Sequence, residues 1–238
     1  MITLIGIFVA GLLVGFTGFG FNLLAVPFLA LLIPTKDAVI VALFVGAAVS
    51  VCLSMLLRQH VHVRVLAGLL AASLPGLAIG AVVFAHVSSD ILRLIIGILT
   101  LVFSVFLIRR EPTYVPATPR PVLGIGAGLL SGTLTVTTGM GGPPIVAYLM
   151  VGLGNVAGVR ATLVLYTGLV SIAALAILAV TGDIGREQTV QAARLVPIGL
   201  AGLGLGVLLF RRVPHWYAKV VAITLVFVAL NGILLTFL

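Results

Sequence analysis

The sequence predicts an all-α integral membrane protein made of two inverted repeats, each holding three transmembrane helices and one broken, re-entrant helical hairpin. Three observations lead there. Of the 238 residues, 62% are hydrophobic and only 8% are charged, with a mean hydropathy of +1.38, far outside the range of a soluble globular domain. Two apolar segments are too long for one crossing and too short for two, and each is interrupted by glycines. A single charged, proline-rich stretch divides the chain into halves that share local sequence.

The elements follow in chain order. Ile2–Ile33 and Val122–Val151 each run to about 30 residues, on the order of 45–50 Å as straight helices, whereas one crossing needs about 20 residues. The first carries GFTGFGFN (Gly15–Asn22) and the second GTLTVTTGMGGPP (Gly132–Pro144) near its middle. Two half-helices of about 11–13 residues would let each segment enter the membrane and turn back. An N-terminal cleaved leader is not expected, because the first apolar run lacks a basic flank and a small-residue cleavage pattern. The six ordinary spans are Ala38–Leu57, Val65–Ala85, Ile91–Ile108, Ala161–Val180, Leu195–Phe210 and Val220–Leu238. Residues 109–121, RREPTYVPATPRP, hold four prolines and four charges and read as a cytoplasmic linker between repeats 1–108 and 122–238.

The halves align locally. AGLLVG (Ala10–Gly15) matches AGLLSG (Ala127–Gly132), Gly18-Phe19-Gly20 matches Gly139-Met140-Gly141, and GAVVFAHV (Gly80–Val87) matches GVLLFRRV (Gly206–Val213). Four extra residues, about one helical turn, separate Gly132 from Gly139 relative to Gly15 and Gly18.

Charge placement tests the topology, since lysine and arginine collect on the cytoplasmic side. If both interrupted segments turn back, Lys36, Arg93, Arg186 and Arg194 lie on one side and the remaining nine of the 13 basic residues on the other. If all eight segments span, the split is seven against six and carries no bias. The re-entrant arrangement gives each half three crossings, so the halves are inverted and both termini face away from the cytoplasm. Inverted repeats with broken helices meeting near the midplane are a transporter design.

The interruptions point to an anion. At the starts of the second half-helices, near Phe21–Asn22 and Gly142–Pro143, backbone N–H groups lack intrahelical acceptors and carry the positive end of the helix dipole. Pro143 and Pro144 suit a first helical turn. The expected binding residues are Thr17, Gly18, Phe19, Gly20 and Asn22 from the first interruption and Thr137, Thr138, Gly139, Gly141 and Gly142 from the second, with Thr135 a further hydroxyl. Close helix packing is the rival explanation for the glycines, and it is the preferred one for Gly202, Gly204 and Gly206. A carbonyl-lined cation filter is a weaker rival, because TGFGF occurs in one half only.

Other chemistries lack their residues. All five acidic residues, Asp37, Asp90, Glu111, Asp183 and Glu187, fall at segment ends or in loops, so no midplane carboxylate is available to relay protons. His60, His62, His86 and His215 sit at boundaries as well; the HVH spacing at His60–His62 is that of an interfacial loop, and neither a metal nor a cofactor is expected. The lone Cys52 precludes an internal disulfide and reads as inert packing. The net charge of +8 lies in scattered loop arginines without a basic aromatic stripe, which argues against nucleic acid. A membrane enzyme would need a buried base beside a nucleophile, and none is in view. Arg93, Arg160 and Lys219 read either as an anion funnel or as cations that snorkel to head groups, and Phe16, Phe19 and Phe21 as packing or as a gate.

AGLLVGFTGFGFNLLAVPFL, repeated as AGLLSGTLTVTTGMGGPPIVAYL after the linker, resembles the sulfite exporter TauE/SafE family of membrane permeases, and the resemblance covers essentially the whole chain. It implies passage of small sulfur-containing anions, sulfite or organosulfonates, through a bacterial inner membrane. The family's glycine pattern falls on Gly15, Gly18, Gly20 and Pro27, and on Gly132, Gly139, Gly141, Gly142 and Pro143. Phe21-Asn22 stands where members often continue with glycine. The implied partners are a small inorganic or organosulfur anion and the lipid bilayer, and a homo-oligomer is compatible with the pattern. Passage of another small anion and a non-transporting membrane scaffold are the alternatives.

Overall fold

The computed structural model describes residues 1–109, 121–153 and 155–212. The expected last span Val220–Leu238, with Lys219, and nearly all of the linker lie outside the described residues. The described chain is helical, with no strand among the described residues. Its helices are α1 (Ile2–Thr17), α2 (Phe21–Ala30), α3 (Thr35–Leu57), α4 (Val63–His86), α5 (Ser89–Arg109), α6 (Pro121–Thr138), α7 (Gly142–Gly152), α8 (Val156–Val180) and α9 (Arg186–Arg212), with a short 3-10 turn at Arg58–His60. Five segments are long and apolar enough to cross a membrane: Thr35–His60, Val63–His86, Pro121–Thr138, Val156–Val180 and Arg186–Leu209.

The two interrupted segments break where the left-handed glycines stand. α1 ends as Gly18 takes φ 84° and donates its N–H to Val14 O at 2.7 Å. α6 ends in the same way at Gly139, with φ 72° and a 2.9 Å bond to Thr135 O. Only glycine adopts this conformation without a Cβ penalty, and it closes the orphan carbonyls of a helix end. After three residues a new helix starts, at Phe21 in the first segment and at Gly142 in the second. The arms are unequal, 16 and 10 residues in one hairpin and 18 and 11 in the other, rather than the matched 11–13 expected. α6 is therefore about 27 Å long and is itself long enough to cross. Each short arm folds back on its long one: Gly6 faces the Phe28 ring and Gly124 the Tyr148 ring, with no room for a side chain between them.

α3 and α8 form the centre. Residues Ala38–Leu43 on α3 are almost wholly buried, and α8 contributes Tyr166, Val170, Ala174 and Leu178 to the same core. Around them, long arms and late helices pair across the halves. Gly11 and Gly15 of α1 meet Gly199, Leu203 and Gly206 of α9, while Gly202 and Gly206 meet Phe8 and Leu12; the two helices run parallel. Gly128 and Gly132 of α6 meet Leu69, Ala72 and Ser73 of α4, while Gly76 and Gly80 meet Leu129 and Thr133, again in parallel. At each of these glycines an added Cβ would strike the facing helix, usually its backbone, the close approach that drives helix association in lipid. Gly15 and Gly132, which begin the two interruptions in the sequence reading, are thus helical packing residues. Gly202 and Gly206 pack as expected, whereas Gly204 faces open space.

One end of the bundle is tied by polar contacts. Gln188 Nε2 donates to Asp37 Oδ1 at 2.7 Å, joining the starts of α9 and α3. Lys36 Nζ stands 5.3 Å from the Phe84 ring near the end of α4. Asp37, Asp90 and Glu187 each occupy the first turn of a helix, where a negative charge is favoured by the dipole. Cys52 is exposed on α3 rather than packed inside, so the packing assignment for it does not hold.

Candidate functional site

Thr17 and Thr138 shape the two tips. Thr17 Oγ1 lies 2.7 Å from both Leu13 O and Phe19 O, sharing its one proton between them, and accepts from the Phe19 N–H at 3.3 Å. Thr138 Oγ1 donates to Leu134 O at 2.8 Å and accepts from the Met140 N–H at 3.4 Å. Threonine suits this task because its hydroxyl bonds backbone both one turn earlier and two residues later. Between the tips lies a cavity of about 50 Å³. A water needs about 10–15 Å³ of such space, so there is room for a few water-sized groups, the scale of a small oxyanion.

Six of the ten expected residues border this cavity: Phe19, Gly20 and Asn22 from the first tip, and Gly139, Gly141 and Gly142 from the second. Thr17, Gly18, Thr137 and Thr138 do not. The hydroxyls of Thr17 and Thr138 hold the turns, Thr137 Oγ1 lies 2.9 Å from Thr133 O, and Gly18 is covered by the Arg160 side chain. Phe21 also borders the cavity; the Phe16 side chain lies outside the described residues. Thr135, the further hydroxyl expected from the second interruption, lines it too, with Val14, Leu23, Met140 and Pro143, and the wall beyond the hairpins comes from Gly46 and Ser50 on α3 and Tyr166, Thr167 and Ser171 on α8, which sequence reasoning passed over. A signal was available. Ser50 and Ser171 are polar residues inside otherwise apolar spans, and they stand at the same 121-residue offset as Gly18 and Gly139.

The tips also have a defined polarity. Four of their carbonyls are engaged by side-chain donors: Gly15 O by Arg160 Nη2 at 2.7 Å, Phe19 O by Thr17, Gly139 O by Asn22 Nδ2 at 2.8 Å, and Gly141 O by Ser131 Oγ at 2.5 Å. Neither short helix has a side-chain cap at its start. The first intrahelical bond at α2 is Leu24 N–H to Gly20 O at 3.3 Å, so the N–H groups of Phe21, Asn22 and Leu23 precede it. At α7, Pro143 and Pro144 have no N–H, and Gly142 is the donor of that first turn bordering the cavity.

Arg160 is anchored on the first hairpin. Its guanidinium sits on the carbonyl end of α1, where a cation complements the dipole, and its stem runs across Gly18. Asn22 joins the hairpins through Gly139; because a carbonyl must receive a donor, that bond fixes the amide with Nδ2 towards Gly139. Its Oδ1 faces Gly46 and is buried without a hydrogen-bond partner. His62 is exposed; its backbone N–H donates to Thr162 Oγ1 at 3.0 Å and its ring lies against Gly158.

A family model described as Sulfite exporter TauE/SafE matches residues 3–232. Comparisons with curated proteins and with solved structures gave no match.

Proposed function

Because the chain belongs to the sulfite exporter TauE/SafE family, a family that points to membrane transport of sulfur-related anions, we propose that it is a permease for sulfite or a small organosulfonate. On this reading the anion binds between the two tips. The observation that carries the proposal is the polarity of the tips: carbonyls at Gly15, Phe19, Gly139 and Gly141 are engaged elsewhere, while two uncapped helix starts meet at one small cavity. Such starts attract anions. A cation filter would need the opposite arrangement, with carbonyls turned inward.

The inverted repeat is part of the same proposal, and helix directions support it. α9 starts beside the start of α3, and α4 ends there, so α9 and α4 run oppositely. α1 is parallel to α9 and α6 to α4; the two hairpins then enter from opposite faces. The basic residues Arg58, Arg64 and Arg109 gather at the face where α6 begins, which we assign to the cytoplasm of a bacterial inner membrane. The halves are residues 1–108 and 122–238, joined by a cytoplasmic linker at 109–121. Export needs no obligatory pump, since one negative charge moving out of a negative interior gains about 2.3 kcal/mol per 100 mV.

Flux into proteoliposomes is the test. Labelled sulfite or a short sulfonate should cross faster than in empty vesicles, and the reading fails if none of a panel of small oxyanions does.

A further inference from the structure

We propose that Tyr166 and Ser131 form a positioning pair that sets the anion affinity of the second tip, an inference that rests on the transport reading above. Both side chains are buried, at 1% and 0% exposure. Tyr166 OH lies 3.0 Å from Ser131 Oγ, and Ser131 Oγ lies 2.5 Å from Gly141 O. A serine hydroxyl has one proton and a carbonyl can only accept, so Ser131 donates to Gly141 and Tyr166 donates to Ser131. Direction is thereby fixed, from α8 through α6 to the start of α7.

What this chain of bonds holds is the Gly141–Gly142 peptide. Gly141 is pressed against Ser131 and Thr135 so closely that an added Cβ would overlap the threonine hydroxyl. No cis peptide occurs among the described residues, and in a trans peptide the carbonyl and the following N–H point to opposite sides. With Gly141 O held on Ser131, the Gly142 N–H is turned away from α6, and Gly142 borders the cavity. The next two residues, Pro143 and Pro144, offer no N–H. The first tip can share an anion among three successive N–H groups; the second depends on the aim of this one, and Ser131 with Tyr166 holds that aim.

The pair is tested by sulfite flux in proteoliposomes of Ser131→Ala, Tyr166→Phe and the double variant. Ser131→Ala should raise KM about 3- to 10-fold, the worth of one ordinary hydrogen bond, with the maximal rate per folded protein near wild type. Tyr166→Phe keeps the ring and its packing and should raise KM by about 2-fold. The double variant should be no worse than Ser131→Ala, because Tyr166 acts through Ser131. Unchanged KM in both single variants overturns the pair while leaving transport standing. Full additivity also overturns it, since the tyrosine hydroxyl would then touch the anion directly. If Ser131→Ala does not fold, Tyr166→Phe alone decides by whether its KM moves. A wild type that carries no small oxyanion would remove the transport reading and the pair together.

Discussion

Gly18 and Gly20 lie two residues apart in the same turn and both have positive φ, yet they should respond differently to alanine. At Gly18 the new Cβ meets the Arg160 side chain as well as an unfavourable backbone, whereas at Gly20 the nearest atom is Leu23 Cδ1 at 3.9 Å. The backbone term is roughly 1–2 kcal/mol and is common to both. Thermal unfolding in detergent should therefore rank Gly18→Ala clearly below Gly20→Ala, and equal midpoints would contradict the packing of Arg160 over the tip. The second tip offers a complementary pair. Gly142 has Thr167 Cγ2 at 3.9 Å and an ordinary φ, while Gly141 has no space at all. Gly142→Ala should fold with little loss and impair flux by about an order of magnitude if a methyl group intrudes on an N–H contact of 1–1.5 kcal/mol; Gly141→Ala should instead lower the folded yield. These residues were legible in the sequence as a glycine-rich break. Their separate duties were not, because glycine serves a left-handed turn, a close approach and a bare N–H with the same letter, and only the neighbours tell these apart.

At the scale of helices, the interfaces of α1 with α9 and of α4 with α6 depend on glycine in the same way. Gly206→Leu and Gly80→Leu would push a side chain into Leu12 or Thr133 backbone, which overpacking makes costly by about 1–3 kcal/mol or more. Gly204→Leu, facing open space, is the matched control and should leave the melting temperature within the small range of surface changes. A loss of stability at Gly204 equal to that at Gly206 would refute the assigned faces. Helix existence was readable from hydropathy alone, and the starts of α2 and α7 fall at Phe21 and Gly142, beside the expected points. Arm length was misjudged for a physical reason: Gly15 and Gly132 lie inside the helices, so the break comes later than the first glycine. The contribution of Tyr166 was equally hidden, since apolar length identifies a span without saying which of its faces meets the tips, whereas Ser50 and Ser171 carried a signal in their shared offset.

For the molecule as a whole, the proposed topology predicts which surfaces meet which compartment. In a Cys52→Ala background, Gln59→Cys beside the start of α4 should react with a membrane-impermeant maleimide only after the cells are opened, while Glu187→Cys at the start of α9 should react in intact cells. Labelling of both from one side would break the topology. Overall class was legible because composition acts over long windows. The cross-pairing of α1 with α9 and of α6 with α4 was not, because nothing local in AGLLVG names a partner almost the whole chain away. That pairing has a consequence for synthesis. α6 finds α4 within about sixty residues of chain, but the face of α1 around Gly15 must wait until Gly206 has been made. At roughly 5–20 residues per second, that is on the order of 10–40 s during which a glycine-lined helix is already present without its mate. Among the described residues, the contacts completed last therefore include those of the first residues translated, and α1 meets its mate late in synthesis although it is made first.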